Sequence, residues 1–365
     1  MRVLQMDLRD FRSHDRKSLQ IGESLTVIAG PNGSGKTNLL EALHFGLTGR
    51  SCRTAMDRQA IRWDTQTAFV EINWSDDGVP HNLKTALDRS GEKRIRLNDS
   101  PLEQALPSTK RPAVIVFLPD RLSLISGAPG ERRKHFDRLI TEVNSSYGQL
   151  RSRYTEALVQ RNALLGTMRG GGQPPASLDA WNKTLSEVGA EVVARRDEVT
   201  ARINSELGQT ASILGLQGYL DLRHRPGASS SVDEYMAELE ERTAGDVDRG
   251  FTSYGPHRAD FVFWREGHDI KTTGSQGEKR MSLLALLLTE RRLLTERTGS
   301  TPVLLMDDVM SELDAKRRRL LVEHVSRQGQ CVITATEFEH VPVEGVTGVV
   351  TIPIGDNPEP DLRVA

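Results

Sequence analysis

The chain has 365 residues, 37% of them hydrophobic and 27% charged, with a formal net charge of −2 at pH 7. That length leaves room for two or more domains and a core that needs no staples, and no run of about eighteen apolar residues is present to cross a membrane. With no global positive field, any contact with nucleic acid must come from local basic patches.

Residues 1–13 alternate apolar and polar positions and carry acids early, which predicts a strand over residues 2–8 rather than a targeting segment. A second strand is expected at 24–29, then a glycine-rich turn and a helix from Lys36 to about Leu47. Short β-like runs follow near 68–75, 82–87 and 93–97, and the continuous apolar run Ala113–Leu118 predicts a buried strand. From Glu131 to about Met168 the spacing of Phe136, Leu139, Ile140, Val143, Leu150 and Tyr154 predicts one long helix, which would span roughly 55 Å. Gly170 to Pro175 forms a turn, and a second helix is expected from Ser177, its N-cap, to Leu214. The pair reads as an antiparallel hairpin inserted into an α/β domain, either projecting as an arm or lid or packed as two ordinary helices. A β-run at 217–223, a loop from Arg225 to Ser231 and a helix over Val232–Val247 come next. After Asp260 the α/β texture returns, with a strand near 261–265, a helix from about Gly277 to Thr298 and a strand at Val303–Met306. A helix over Asp314–Ser326, a strand at Cys331–Thr336, a last strand near 348–354 and a frayed tail from Asp356 close the chain. Cys52 and Cys331 read as reduced thiols of a cytosolic protein, with a disulfide between them left open.

Gly30-Pro31-Asn32-Gly33-Ser34-Gly35-Lys36-Thr37 fits the phosphate-binding P-loop, GxxxxGK[ST], with a strand before it and a helix after it. Its glycines let successive backbone N–H groups turn toward phosphate oxygens, and the helix start adds partial positive charge. Gly30, Asn32, Gly33, Ser34 and Gly35 are therefore candidates to hold ATP, with Lys36 bridging its β- and γ-phosphates and Thr37 as a ligand of Mg²⁺. The apolar strand Val303–Met306 ends in Asp307 and Asp308. Acids at the carboxyl end of a strand in an open α/β sheet stand where ligands gather. Asp307 is assigned to the metal, and Asp308 to orienting or deprotonating the attacking water.

A second cup of small residues, Gly274-Ser275-Gln276-Gly277-Glu278, precedes a helix one element ahead of the acid-tipped strand. Here the chain resembles the ATP-binding-cassette superfamily, whose LSGGQ-like signature loop lies at this spacing. Ser275, Gly277 and Glu278 match its second, fourth and fifth positions, the last conservatively, while Gly274 and Gln276 depart. The resemblance implies that this loop caps the γ-phosphate held by a second subunit, giving an ATP-dependent head-to-tail homodimer. Ser311-Glu312-Leu313-Asp314 resembles the family's D-loop. Thr336 stands where transporter-type cassettes carry a switch histidine, so Thr334 and Thr336 become candidate γ-phosphate sensors.

Further stretches resemble one branch, the RecF family of recombination-mediator ATPases related to SMC-type heads. They are Leu8-Arg9-Asp10-Phe11-Arg12-Ser13-His14, Asn38-Leu39-Leu40-Glu41-Ala42 after the P-loop, Phe117-Leu118-Pro119-Asp120, Gly130 to Asp137, and Tyr254-Gly255-Pro256-His257-Arg258-Ala259-Asp260. The resemblance covers residues 2 to about 340 and implies nucleotide contacts from Arg12 and Asn38. It implies an α/β fold, an ABC-type P-loop ATPase head (1–125 and 250–365) with an inserted helical arm or lid (126–249). It also implies a cytoplasmic, DNA-binding protein of recombinational repair and replication restart, clamping DNA at gaps or junctions and supporting the SOS response. Its implied partners are RecR and RecO, acting upstream of RecA. Asp308 is one methylene shorter than the usual cassette glutamate, which predicts slow, switch-like hydrolysis. A transporter subunit would need the missing histidine and a membrane partner, and a structural SMC head would need far longer arms. For the histidine of the GPHR segment, structural and ligand-contact roles stay open. The basic clusters Arg132-Arg133-Lys134, Arg151 with Arg153, Arg195-Arg196 and Lys316 to Arg319 are the candidate DNA contacts.

Overall fold

Alternation of buried and exposed side chains builds the first sheet. The computed structural model describes residues 1–103, 110–169, 177–344, 346 and 349–353, so the Gly170–Pro175 turn and the tail from Asp356 lie outside the described residues. The chain folds into two compact units, one of 1–121, 213–215 and 290–365, the other of 122–212 and 216–289.

In the first unit β1 (Arg2–Phe11) turns Val3, Met6, Leu8 and Phe11 inward and pairs antiparallel with β2 (His14–Gln20). β2 was not expected from sequence, because only Leu19 of its seven residues is buried; it is a polar edge strand. β3 (Leu25–Ala29) feeds the P-loop, and α1 (Lys36–Thr48) leaves it with most of its residues buried. β4 (Thr67–Asp76), β5 (Val79–Asp88), β6 (Lys93–Leu97) and β7 (Ser100–Leu102) extend the first sheet, order β2-β1-β4-β5-β6-β7. Then comes β8 (Val114–Phe117), the buried strand expected from its apolar run.

The second unit opens with α2 (Ser123–Ser126), α3 (Pro129–Val143), α4 (Tyr147–Met168) and α5 (Ser177–Ile213). The single helix expected from Glu131 to Met168 is thus two helices. The break falls at Asn144, whose extended backbone (φ −133°) ends α3 and whose Oδ1 accepts from the Ser146 N–H and hydroxyl at 3.1 and 2.7 Å. An asparagine that bonds its own backbone two residues on offers the chain a turn in place of another helical turn. α5 is buried on successive turns, and Leu178 packs with Leu165 and Met168 of α4. β9 (Leu220–Arg225), α6 (Val232–Glu241) and α7 (Thr243–Arg249) follow; the helix expected over Val232–Val247 is interrupted at Arg242. β10 (Asp260–Arg265) and β11 (His268–Asp269) complete a three-stranded sheet, and α8 (Ile270–Thr273) leads to α9 (Gln276–Thr298).

Buried ion pairs lock this unit internally. Arg161 and Asp246 meet at 2.8 Å with both side chains fully inaccessible, and Arg161 also donates to Asn182 Oδ1 and Thr252 Oγ1. Arg196 holds Asp137 at 2.9 Å, where the Tyr147 hydroxyl also donates, and Arg132 holds Asp260 through two bonds of 2.8 Å.

The chain finishes the first unit with β12 (Val303–Met306), α10 (Ala315–Ser326), β13 (Cys331–Ala335) and β14 (Val349–Pro353). They give an all-parallel sheet of order β14-β3-β13-β12-β8. A core cluster joins β1, β4, α1 and the parallel strands, including Phe11, Phe45, Ile72, Leu305 and Val332. Cys331 is buried and Cys52 half-buried, both as free thiols. No helix among the described residues is long and apolar enough to cross a membrane.

Candidate nucleotide site

The strand order decides which residues meet. β13 lies between β3, which carries the P-loop at its carboxyl end, and β12, which ends at Asp307. Gly30 donates its N–H to the Ala335 carbonyl at 3.2 Å, anchoring the loop's entry to β13. Gly33 (φ +84°) and Gly35 (φ +93°) adopt the left-handed conformation that lets the loop wrap. At Gly35 the demand is also steric, since a Cβ there would fall 2.6 Å from His14 Nε2 and 2.8 Å from Ser13 Oγ. The turn between β1 and β2 is therefore pressed against the P-loop. Burial holds the His14 ring below its usual pKa, partly opposed by its contact with the Gly35 carbonyl.

α1 starts at Lys36 with no side-chain cap and no acid in its first turn, leaving its N–H groups and dipole for an anion. The Lys36 ammonium curls over the loop and donates to the carbonyls of Gly30 and Pro31 at 2.7 and 2.9 Å. The Thr37 hydroxyl lies 2.9 Å from both oxygens of Asp307. Asp307 is further fixed by its N–H to the Phe117 carbonyl (3.0 Å) and by the Thr334 hydroxyl, which donates to Oδ1 at 2.8 Å. The same Thr334 oxygen accepts from the Asp308 N–H at 2.9 Å. Asp308 itself is in the left-handed region at φ 47°. Ser34 Oγ is buried with no hydrogen-bond partner among the described residues, a polar atom waiting for a ligand.

These groups suit a magnesium-bound phosphate chain: hard oxygens at Thr37 and Asp307, a lysine, and unspent donors in the loop. Among the described residues no group of three or more His, Cys, Asp or Glu could hold a metal unaided. A cation here would thus rely on phosphate oxygens and water for its remaining ligands.

Two further candidates face other partners. Arg12 gives Nε and Nη2 to Glu41 at 2.9 and 2.7 Å and Nη1 to the Gln59 carbonyl at 2.7 Å. Asn38 donates to Ser13 Oγ at 2.9 Å and accepts from Arg53 at 3.1 Å. Ser275, Gly277 and Glu278 form a separate cluster in the second unit. The Ser275 N–H reaches Glu278 Oε2 at 2.8 Å and the Glu278 N–H reaches Ser275 Oγ at 3.3 Å, a reciprocal capping box that starts α9. Glu278 also takes Arg265 at 2.6 Å, while Gly277 leaves open space beside its backbone.

Comparison with known proteins decides the family. A family model described as the RecF/RecN/SMC N terminal domain matches residues 2–351. "DNA replication and repair protein RecF" of Chlorobium phaeobacteroides is 32% identical over 92% of this chain and 96% of its own length. The chain belongs to the RecF family. A solved structure of the recombination mediator protein RecF with ATP, in the RecFOR pathway, is 26% identical, with a TM-score of 0.81 over 97% of this chain and 95% of that one. The Smc head domain of Pyrococcus furiosus shares the fold at 16% identity and a TM-score of 0.58. The RecF-family chain thus has the α/β fold of ABC-type ATPase heads, as its motifs implied.

Thr334, a candidate γ-phosphate sensor by its sequence position, is wholly buried in this RecF-family fold and positions the acidic pair. A threonine inside an otherwise apolar central strand is a signal for such a role, because its hydroxyl must find partners. Thr336 instead lies 3.4 Å from His340 Nδ1. The Ser-x-x-Glu spacing at Ser275 is a capping-box signal in the sequence, distinct from the signature-loop resemblance. Among the basic clusters, Arg132 and Arg196 are buried in ion pairs, Arg133 donates to the Ala259 carbonyl, and Arg195 pairs along its own helix. Lys134, Arg153, Lys316 and Arg319 are exposed. His257 is structural: Nδ1 meets the Tyr154 hydroxyl at 2.6 Å, Nε2 meets the Thr252 carbonyl at 3.0 Å, and burial pushes its pKa down to about 4. Arg258 lies over Phe251, and Asp260 is claimed by Arg132.

Proposed function

We propose that this RecF-family chain is an ATP-switched DNA-binding protein of recombinational repair. The observation that carries it is the meeting of Thr37 with Asp307 beneath an uncapped P-loop helix. Relatives described as DNA replication and repair protein RecF, and a solved RecF bound to ATP, support the same reading.

In this reading Gly30, Asn32, Gly33, Ser34, Gly35 and Lys36 bind the phosphates of ATP, and Thr37 and Asp307 hold Mg²⁺, which neutralises phosphate charge. Lys36 then exchanges its loop carbonyls for phosphate oxygens, and Asp308 orients water for slow hydrolysis. Arg12 and Asn38 border the nucleotide. Ser275, Gly277 and Glu278 of a second copy cap the γ-phosphate, so ATP joins two heads and hydrolysis releases them. Residues 1–125 and 250–365 act as the head and 126–249 as the helical arm or lid. The closed dimer clamps DNA at gaps or junctions, with the exposed Lys and Arg residues as phosphate contacts. It works in the cytoplasm with RecR and RecO, promotes RecA loading and supports the SOS response.

Asp308→Asn keeps the side chain's size and removes its charge, so it should bind ATP, dimerise and stay on duplex or gapped DNA. Light scattering and DNA retention after dilution read the outcome. A monomer at saturating ATP removes the switch. Lys36→Met should lose ATP binding and dimerisation together.

A further inference from the structure

Beside the P-loop the first unit carries a cleft of about 590 Å³ that none of the phosphate-binding roles uses. That size falls within the usual range for small-molecule pockets, roughly 300–1,000 Å³. Ser13 and Asn38 line the cleft, hydrogen-bonded to each other at 2.9 Å. Asn38 follows Thr37 directly and Ser13 lies against Gly35, so the cleft begins where the phosphate loop ends. Trp63, Arg58 and Arg89 also line it, as does Arg12. Trp63 is 85% exposed, the most exposed large hydrophobic side chain among the described residues.

The backbone that carries the indole is held in place although the ring is uncovered. The Arg12 N–H bonds the Ala60 carbonyl at 2.7 Å and the Arg62 N–H bonds the Asp10 carbonyl at 2.9 Å, fastening the preceding backbone to the end of β1. The Arg89 guanidinium then grips the carbonyls of Thr65 and Arg62, each at 2.9 Å, closing the loop on its other side. Neither Arg58 nor Arg89 has a carboxylate partner among the described residues. A solvent-facing indole on a fixed backbone, with unneutralised guanidinium donors beside it, is a stacking platform for a flat, acceptor-bearing ring.

We infer that Trp63 stacks on the base of the nucleotide whose phosphates occupy the P-loop, and that the cleft selects a purine. The inference rests on the ATP reading above. Stacking tolerates any base, but Arg58 adds a donor for N7, an acceptor that both purines present and pyrimidines lack.

Calorimetry on the full chain with magnesium separates the two ideas, using ATP, CTP and inorganic tripolyphosphate as probes. Wild type should bind ATP more tightly than CTP, and CTP more tightly than tripolyphosphate. Trp63→Ala should weaken ATP about tenfold and leave tripolyphosphate unchanged, while Trp63→Phe should recover most of the loss. ATP should quench the wild-type indole emission, and that quench should vanish in Trp63→Phe although binding persists. Because Trp63 makes no core contact, the variants should melt like wild type. Equal ATP affinity in wild type and Trp63→Ala overturns the stacking role and leaves the phosphate site standing. Loss of single-stranded DNA binding with ATP affinity intact overturns it too, and assigns the indole to a DNA base. A wild type that binds neither ATP nor tripolyphosphate removes this inference together with the nucleotide reading.

Discussion

Replacing Thr334 by valine tests how the acidic pair is held. The side chain is fully buried, its hydroxyl donates to Asp307 at 2.8 Å and accepts from the Asp308 N–H at 2.9 Å. Valine has nearly the same shape and neither bond. Losing a hydrogen bond to a carboxylate removes about 1.5–3 kcal/mol, and orphaning a buried N–H costs about 1–3 kcal/mol more. The added methyl returns about 0.8 kcal/mol of burial. The net expectation is a destabilisation of about 2–5 kcal/mol in urea unfolding followed by circular dichroism. Thr334→Ser keeps the hydroxyl and drops one methyl, so it should cost only about 1 kcal/mol. ATP affinity should fall in the valine variant and persist in the serine variant, because only the former frees Asp307 to rotate away from Thr37. If valine and serine behave alike, or if valine loses stability with ATP affinity untouched, Thr334 does not position the metal-side carboxylate.

The second unit offers two further tests. Asp246→Leu strands the Arg161 guanidinium in a fully buried site, and should cost about 3–5 kcal/mol. The double variant with Arg161→Met should regain most of that loss, and a single-variant cost below about 1 kcal/mol in urea would show the pair to be dispensable. His257 gives a pH dependence with a definite sign. Its folded-state pKa is about 4 against an ordinary value of 6.5, so the unfolded chain takes up the proton first as pH falls. Its contribution is complete above pH 6.5 and is lost as pH falls from there toward 4, by up to about 3 kcal/mol. The lowered pKa values of His14, His224 and His324 act in the same direction. His257→Gln should flatten the fall in urea midpoint between pH 7 and pH 5; an unchanged slope would assign the effect to other groups.

Much of the head was legible because its signals are local. The P-loop is defined by φ values that glycine alone adopts readily, and the acid-tipped β12 by an uninterrupted apolar run. What the chain did not announce depends on partners distant in sequence. β2 shows only one apolar residue inward and exists because β1 offers it an edge. The break at Asn144 is a single side chain outcompeting an otherwise continuous helical pattern. The basic clusters misled most, since charge runs do not reveal which guanidiniums are buried: Arg132 and Arg196 find Asp260 and Asp137 far along the chain. Polar residues on buried faces, such as Thr334, carried more information than the charge runs did, because each needs a specific partner.

Arg12 shows how the site's local irregularities fit together. Of the non-glycine residues with positive φ most are Asp or Asn, which tolerate that region, but Arg12 at φ 54° is not of that kind. Such a conformation costs about 1–3 kcal/mol and persists only where neighbouring contacts over-determine it. Here its N–H bonds Ala60 and its guanidinium grips Glu41, a fully inaccessible carboxylate on α1 shared with Arg53 and Ser51. The arginine therefore fastens the β1–β2 turn to the helix that the P-loop feeds, and that turn is what presses Ser13 and His14 against Gly35. The guanidinium spends three of its five N–H donors on Glu41 and Gln59, so two remain for a nucleotide with those bonds intact. The two roles are therefore compatible: the guanidinium that fastens the turn beside the P-loop also lines the Trp63 cleft and keeps donors for a phosphate.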